Sequence, residues 1–278
     1  MRLFCYRNHS QSSIIRAVGI TRVKTSKDRH LGITKYRSFD ISSSLDSGIS
    51  PSPPPPQNHA KFPLSPTPPQ TPMQSYILSH TTPPDPYLQR LYRATHLHLL
   101  RPRMASGHLQ GQLLRMFMQM IRPQTVVEIG TYSGYSALAM ASGMEAGSRV
   151  ITFEINDEQE CFTRPWLENA PYPARVEMVV GNIFELLPPM NLSIDVAFID
   201  ANKREYVEYY ELLMPYLHSG SIILADNTLW DGHVIDSAYD KDPQTLAIRR
   251  FNDHVANDDR VEQLILPERD GLSVIRVK

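Results

Sequence analysis

Three short apolar runs each close on a carboxylate, and they constrain this chain more than anything else in it: Val126-Val127-Glu128-Ile129-Gly130, Val196-Ala197-Phe198-Ile199-Asp200 and Ile222-Ile223-Leu224-Ala225-Asp226-Asn227. Each run is too short for a helix and rich in β-branched residues, so each reads as a buried parallel strand. In open α/β sheets, ligands bind beyond the carboxyl ends of such strands. Core packing does not account for acids placed there, because Asp and Glu are rarely buried without a partner. A local cap or ion pair would explain one of them. Three at equivalent positions point to a site.

The remaining pattern alternates in the way a parallel sheet requires. A helix is predicted over residues 109–120, up to Pro123, and its methionine-rich stripe is expected to be core. After the first strand come Gly130-Thr131-Tyr132-Ser133-Gly134-Tyr135-Ser136 and a small-residue helix at 137–142. The second strand, 150–153, ends in Glu154. A helix over 158–169 is expected to start or break at Pro165. A third strand at 176–180 and a short turn or helix at 184–187 lead to the fourth strand. The helix at 206–217, read as closed by Ser219-Gly220, precedes the fifth. Beyond a helix at 244–256, strands 261–266 and 272–277 flank Pro267-Glu268-Arg269-Asp270-Gly271, a predicted antiparallel hairpin at the sheet edge. The fold class is therefore α/β, a doubly wound, mostly parallel sheet with a C-terminal antiparallel hairpin.

Composition matters mainly for what precedes this domain. Residues 1–72 carry ten Lys or Arg against three Asp and no Glu, with ten prolines from Pro51 to Pro72. A formal charge near +7 thus precedes a body near −8, although the whole chain sums to −1. Little in that arm can build a core, so 1–72 is expected to be disordered and 73–278 to form the domain. Its prolines would break the amphipathic helix of an organelle transit peptide, and Met73 is favoured as the natural start. No apolar run approaches the roughly 20 residues of a membrane span. Two cysteines, Cys5 and Cys161, build neither a disulfide framework nor a thiolate metal site. No membrane association and a cytoplasmic location are expected. The acidic body offers no continuous basic stripe, which counts against nucleic acid without excluding transfer RNA.

The turn after the first strand has the spacing G-x-x-x-G rather than the G-x-G-x-x-G of dinucleotide sites, which makes nicotinamide binding the weaker reading. Gly130 and Gly134 let backbone approach a ligand, and Ser136 with the helix-start amides can receive a carboxylate. Glu128 would repel a phosphate and suit an ammonium. Glu154 stands where a carboxylate accepts hydrogen bonds from ribose hydroxyls. An amino acid joined to a ribose points to S-adenosylmethionine. Asp200, Asp226 and Asn227 then offer three hard oxygens from adjacent strand ends, suited to Mg²⁺ or Mn²⁺ rather than Zn²⁺. Lys203 lies one helical turn beyond Asp200. Beside a dication it is disposed to act as a base, because like charge disfavours the ammonium. Ionising a phenol of pKa about 10 at pH 7 costs roughly 4 kcal/mol, which a metal and a base can supply.

These residues resemble a known family. Glu-Ile-Gly-Thr-Tyr-Ser-Gly-Tyr-Ser, Phe-Glu-Ile-Asn, Phe-Ile-Asp-Ala-Asn-Lys and Ala-Asp-Asn-Thr-Leu-Trp-Asp-Gly look like the cation-dependent class I O-methyltransferases, which include catechol and caffeoyl-coenzyme A O-methyltransferases and bacterial small-molecule members. The resemblance runs from about Tyr87 to Lys278. It implies a seven-stranded Rossmann-like sheet, usually in a homodimer. It also implies that Glu128, Gly130, Tyr132 and Ser136 meet the methionine end, that Glu154 meets the ribose, and that Asn182 borders the adenine. Met104 and Ser106 fall in the segment that closes over the cofactor. Asp200 serves both cofactor and metal, Asp226 and Asn227 complete the metal ligands, and Lys203 matches the catalytic lysine. Trp230 is expected to wall the acceptor pocket, with His233 and Tyr239 weaker candidates in the same loop. Ala201 departs from relatives that carry a larger residue against adenine. The acid that in some members grips a second acceptor hydroxyl has no counterpart located in the sequence.

The expected function is methyl transfer from S-adenosylmethionine to a hydroxyl of a small catechol-like or phenolic acceptor, assisted by a divalent metal. Three alternatives stand beside it: methylation of hydroxylated uridine in transfer RNA, a non-catalytic module that only holds the cofactor, and a nicotinamide oxidoreductase.

Overall fold

The acid-terminated runs become neighbouring strands of one sheet in the computed structural model, which describes residues 71–278. Strands β1 (Thr125–Ile129), β2 (Arg149–Glu154), β3 (Arg175–Val180), β4 (Ile194–Ile199), β5 (Leu217–Asp226), β6 (Val261–Leu266) and β7 (Leu272–Val277) make a seven-stranded sheet in the order β3-β2-β1-β4-β5-β7-β6. β1 to β5 are parallel, and β7 enters antiparallel to both β5 and β6. The predicted hairpin is therefore at the edge, with its second strand on the inside.

Register decides the geometry of the site. Ile129 pairs with Phe153 and with Ile199, and Ile199 with Ala225. The next residue along each strand is Gly130, Glu154, Asp200 or Asp226, so one row across four strands holds three carboxylates and a glycine. Side chains alternate between the two faces of the sheet. Val126, Val196, Phe198 and Leu224 join one core layer, while Val127, Ile129, Ala197, Ile199, Ile223 and Ala225 join the other.

Helices α2 (Pro86–His98), α3 (Gly107–Ile121), α4 (Tyr135–Ala141) and α5 (Glu160–Glu168) bear on the first layer. Helices α6 (Ile183–Leu186), α7 (Tyr206–Leu213) and α8 (Pro243–Ala256) bear on the second. The expected methionine stripe of α3 is only partly core. Met118 is fully buried, whereas Met116 and Met120 are exposed. At the front, helix α1 (Pro72–Ser79) is capped by Thr71, whose hydroxyl accepts the Gln74 amide. Met73 thus falls inside α1, and the rest of the arm lies outside the described residues. Among the described residues no helix is long and apolar enough to cross a membrane.

Two local expectations are corrected. Pro165 neither starts nor breaks α5, which runs through it after a 3₁₀ turn at Asp157–Gln159. Buried Thr163 and Leu167 on either side hold the helix in place, and the Thr163 hydroxyl donates to the Tyr132 carbonyl at 2.6 Å. The second correction is at Ser219-Gly220, which is no helix cap. α7 stops at Leu213, a 3₁₀ turn containing Pro215 follows, and both residues lie within β5. There Gly220 takes φ +93° at a bulge, where the pairing jumps from Ile194↔Leu217 to Val196↔Ile222.

Candidate active site

Glu128 lies inside β1, two residues before the row, and is the most deeply placed acid here, with no exposed surface. Its Oε2 accepts the Thr152 hydroxyl from the neighbouring strand, while Oε1 has no hydrogen-bond partner. Burial pushes this carboxyl up to about 8, against the lowering pull of the Ser136 and Thr152 hydroxyls. Five residues on, the Ser133 Oγ is also buried without a partner. Unmade bonds of this kind cost about 1–3 kcal/mol each. Both orphan groups stand at the β1–α4 turn, and they suit a ligand that brings an ammonium and further polar atoms there. The donor set thus fits the amino acid end of S-adenosylmethionine.

The glycines of this turn serve the protein as much as any ligand. Gly130 has φ +102°, and a Cβ on it would collide with the Asp200 carbonyl oxygen. Gly134 has φ +79° and fits under Leu167 of α5. Tyr132 holds the left-handed region at φ +45°, and its amide donates to Glu154 Oε2 at 2.8 Å. Glu154 Oε1 accepts the Asn156 amide at 2.9 Å. Each carboxylate oxygen can accept a second bond, so both retain room for a ribose hydroxyl. Asn182 accepts the Phe184 amide at 3.0 Å and caps α6. Met104 is half exposed in the 3₁₀ turn Pro102–Met104, and Ser106 is buried at the start of α3.

The second cluster begins at Asp200. Lys203, buried in the 3₁₀ turn Lys203–Glu205, donates from Nζ to Asp200 Oδ1 at 2.8 Å and to the Tyr206 hydroxyl at 2.5 Å. Tyr206 in turn donates to the Asp226 carbonyl at 2.9 Å. The amine is therefore aimed, its position set by a fully buried phenol. Asp226 is also buried, and its carboxyl is raised to about 6 by desolvation and by the charge of Asp200. Two carboxylates crowded in low dielectric are what a divalent cation relieves. Asn227, at φ +59°, donates from Nδ2 to Asp270 Oδ2 at 3.3 Å, leaving its Oδ1 for another partner. Asp200, Asp226 and Asn227 thus make a hard-oxygen set that fits Mg²⁺ or Mn²⁺.

The loop after β5 carries the residues expected to wall an acceptor. Trp230 and Asp231 both hold positive φ, at 49° and 52°, and Trp230 packs partly buried against the second core layer. His233 stacks on Tyr239 with centroids 3.5 Å apart. Arg249 of α8 ties the loop down through the carbonyls of His233, Val234 and Asp236.

Residues 78–278 match the family model described as O-methyltransferase. The chain belongs to the O-methyltransferase family. This O-methyltransferase is 33% identical over 180 residues to caffeoyl-CoA O-methyltransferase 1 of Zea mays, covering 60% of this chain and 69% of that one. It is 29% identical over 178 residues to a catechol O-methyltransferase of Niastella koreensis, covering 61% and 80%. Among solved structures it resembles the O-methyltransferase from Bacillus cereus in complex with SAH, with a TM-score of 0.68 and 29% identity over 74% of this chain and 97% of that one. TomG of Streptomyces achromogenes, solved with SAM, gives 0.67 and 25%, covering 74% and 96%.

Four residues bonded or packed around these clusters were not singled out from sequence. Tyr206 read only as the first residue of a helix, and Asp270 and Arg269 as hairpin turn. Gln110 carried a signal that was available, a polar residue on the inward stripe of α3, and it is buried at 1% exposure beside Asp226.

Proposed function

We propose that this O-methyltransferase uses S-adenosylmethionine and a divalent cation to methylate a hydroxyl of a small catechol-like or phenolic acceptor. The observation that carries the reading is the row of Glu154, Asp200 and Asp226 at the ends of β2, β4 and β5, with the Lys203 amine 2.8 Å from Asp200. When bound, the cofactor supplies an electrophilic methyl group and Mg²⁺ or Mn²⁺, held by Asp200, Asp226 and Asn227, acidifies the acceptor hydroxyl. The chain's own groups do the rest. Glu128 and Ser133 receive the amino acid end, and Glu154 holds the ribose. Tyr206 and Asp200 orient Lys203, whose Nζ takes the acceptor proton. The β1–α4 turn and the loop carrying Trp230 keep water from the reacting atoms. Positioning of this kind can be worth more than the deprotonation itself.

The homodimer implied by the family resemblance belongs to the same proposal, supported by α1, which buries none of its residues in the single chain. The test is transfer of labelled methyl from S-adenosylmethionine to a panel of catechols with Mg²⁺. Activity that disappears with chelator and returns with Mg²⁺ or Mn²⁺ is the expected result. Activity unchanged by chelator would refute the metal role, and S-adenosylhomocysteine binding without turnover on any phenol would refute the acceptor class.

A further inference from the structure

Arg269 sits in the turn between β6 and β7 at φ +50°, a backbone region that side chains rarely hold. The turn itself is fixed on one side. The Asp270 carbonyl accepts the amides of Leu229 at 2.7 Å and Trp230 at 3.0 Å, and the Gly271 carbonyl accepts that of Thr228 at 3.0 Å. A Cβ at Gly271 would meet the Leu229 nitrogen at 2.6 Å, so the contact has no slack. From this base the guanidinium crosses to the segment before α3. Nη1 donates to the Ser106 carbonyl at 2.6 Å, to Gln110 Oε1 at 2.8 Å and to the Ala105 carbonyl at 3.4 Å. Nη2 donates to the Arg103 carbonyl at 3.3 Å. Gln110 is buried beside Asp226 and pulls its carboxyl pKa down.

We propose that Arg269 is a positioning residue that locks segment 103–106 onto the acceptor loop, so that closure over the methyl donor and alignment of Asp226 through Gln110 occur together. The inference rests on the S-adenosylmethionine reading above.

Three observations separate this from an ordinary brace. The hairpin does not need Arg269, because β6 and β7 pair without interruption from Val261↔Val277 to Leu266↔Leu272. Glycine would take the same backbone without steric cost, so the arginine is held there against its conformational preference. Its four acceptors are three loop carbonyls and an amide oxygen, which only a planar fork reaches at once. Those carbonyls converge in one conformation of segment 103–106, and that segment carries Met104 and Ser106.

The test compares the full chain with Arg269→Gly and Arg269→Lys by thermal melting, S-adenosylhomocysteine calorimetry and steady-state kinetics. Arg269→Gly is expected to melt lower than the parent, because the hydrogen bonds lost at Arg103, Ala105, Ser106 and Gln110 outweigh the strain released. Its S-adenosylhomocysteine affinity is expected to fall at least tenfold, about 1.4 kcal/mol. KM for the methyl donor should rise more than kcat falls, and Arg269→Lys should not restore it. Affinity within twofold of the parent in both variants, at any melting temperature, overturns the proposal. Should Arg269→Gly fail to fold, Arg269→Lys carries the same comparison. If the parent itself binds no S-adenosylhomocysteine, the cofactor reading fails separately. Amide exchange at 103–106 then decides: faster exchange in the variant supports the lock, and unchanged exchange removes it.

Discussion

A Cβ on Gly130 would stand 2.0 Å from the Asp200 carbonyl oxygen and 2.8 Å from its carbonyl carbon. The ends of β1 and β4 therefore touch through backbone, and the β1–α4 turn and the turn bearing Lys203 form one continuous wall. Loss of this glycine is felt on both sides at once.

Gly130→Ala combines a backbone collision with φ +102°, and overpacking and conformational terms together suggest a loss of about 2–5 kcal/mol. Chemical denaturation should show it as a lower midpoint with little change in slope. An alanine variant as stable as the parent would mean that the two strand ends separate freely.

Lys203→Met keeps the bulk of the side chain and removes the amine bonded to Asp200 and Tyr206. If Nζ takes the acceptor proton, kcat drops about 10²–10⁴-fold while S-adenosylhomocysteine affinity stays within a few-fold. Equal losses in both would assign Lys203 to holding the site together instead.

Glu128 gives a pH signature whose sign is fixed by burial. Its folded pKa of about 8 lies above the ordinary 4.5, so the folded state binds the extra proton. The group's contribution to stability is complete below about 4.5 and is lost as pH rises through about 8. Apo protein stability should therefore slope downward between pH 5 and 8, and Glu128→Gln should flatten that slope. An ammonium placed beside Glu128 favours the carboxylate, so S-adenosylhomocysteine binding at pH 7 should release a proton. Calorimetric enthalpies that do not vary with buffer ionisation enthalpy would contradict this.

Metal binding should show the titration of Asp226. Its carboxyl, raised to about 6, must give up its proton to coordinate, so Mn²⁺ should stabilise the protein more at pH 7.5 than at pH 5.5. Asp226→Asn should abolish most of that difference. A thermal shift by Mn²⁺ that is the same at both pH values would place the ion elsewhere.

The loop after β5, proposed above to face the acceptor, carries Asp231, Asp236, Asp240 and Asp242 against Lys241, and Asp240 is bonded to Arg249 at 2.7 Å. Its net negative field disfavours a substrate bearing phosphates. A free catechol is expected to be turned over with a lower KM than the coenzyme A thioester of the corresponding acid, most clearly at low salt. The reverse order would show that phosphate binding sites lie outside this loop.

The acidic row was legible because strand ends announce themselves. The apolar runs closing on Asp200 and Asp226 specify both burial and exit point, whereas Glu128 stays inside β1, and side-chain period two leaves little freedom in register. Pro165 and Ser219-Gly220 were misread because helix punctuation is a weak prior that tertiary packing overrides. At Pro165, buried Thr163 and Leu167 hold the helix together. At Gly220, pairing with β4 extends the strand through a bulge.

The order of the seven strands along the chain, the acidic row and the glycine turn were determined by sequence alone, because each follows from periodicity and residue type over a few neighbours. Only the tertiary structure decided what stands across from them. Arg269 and its acceptors are separated by 159 to 166 residues, and Asn227 and Asp270 by 43. Such pairs depend on the path that two loops take after the sheet has assembled, and no local pattern of polar and apolar residues encodes that path.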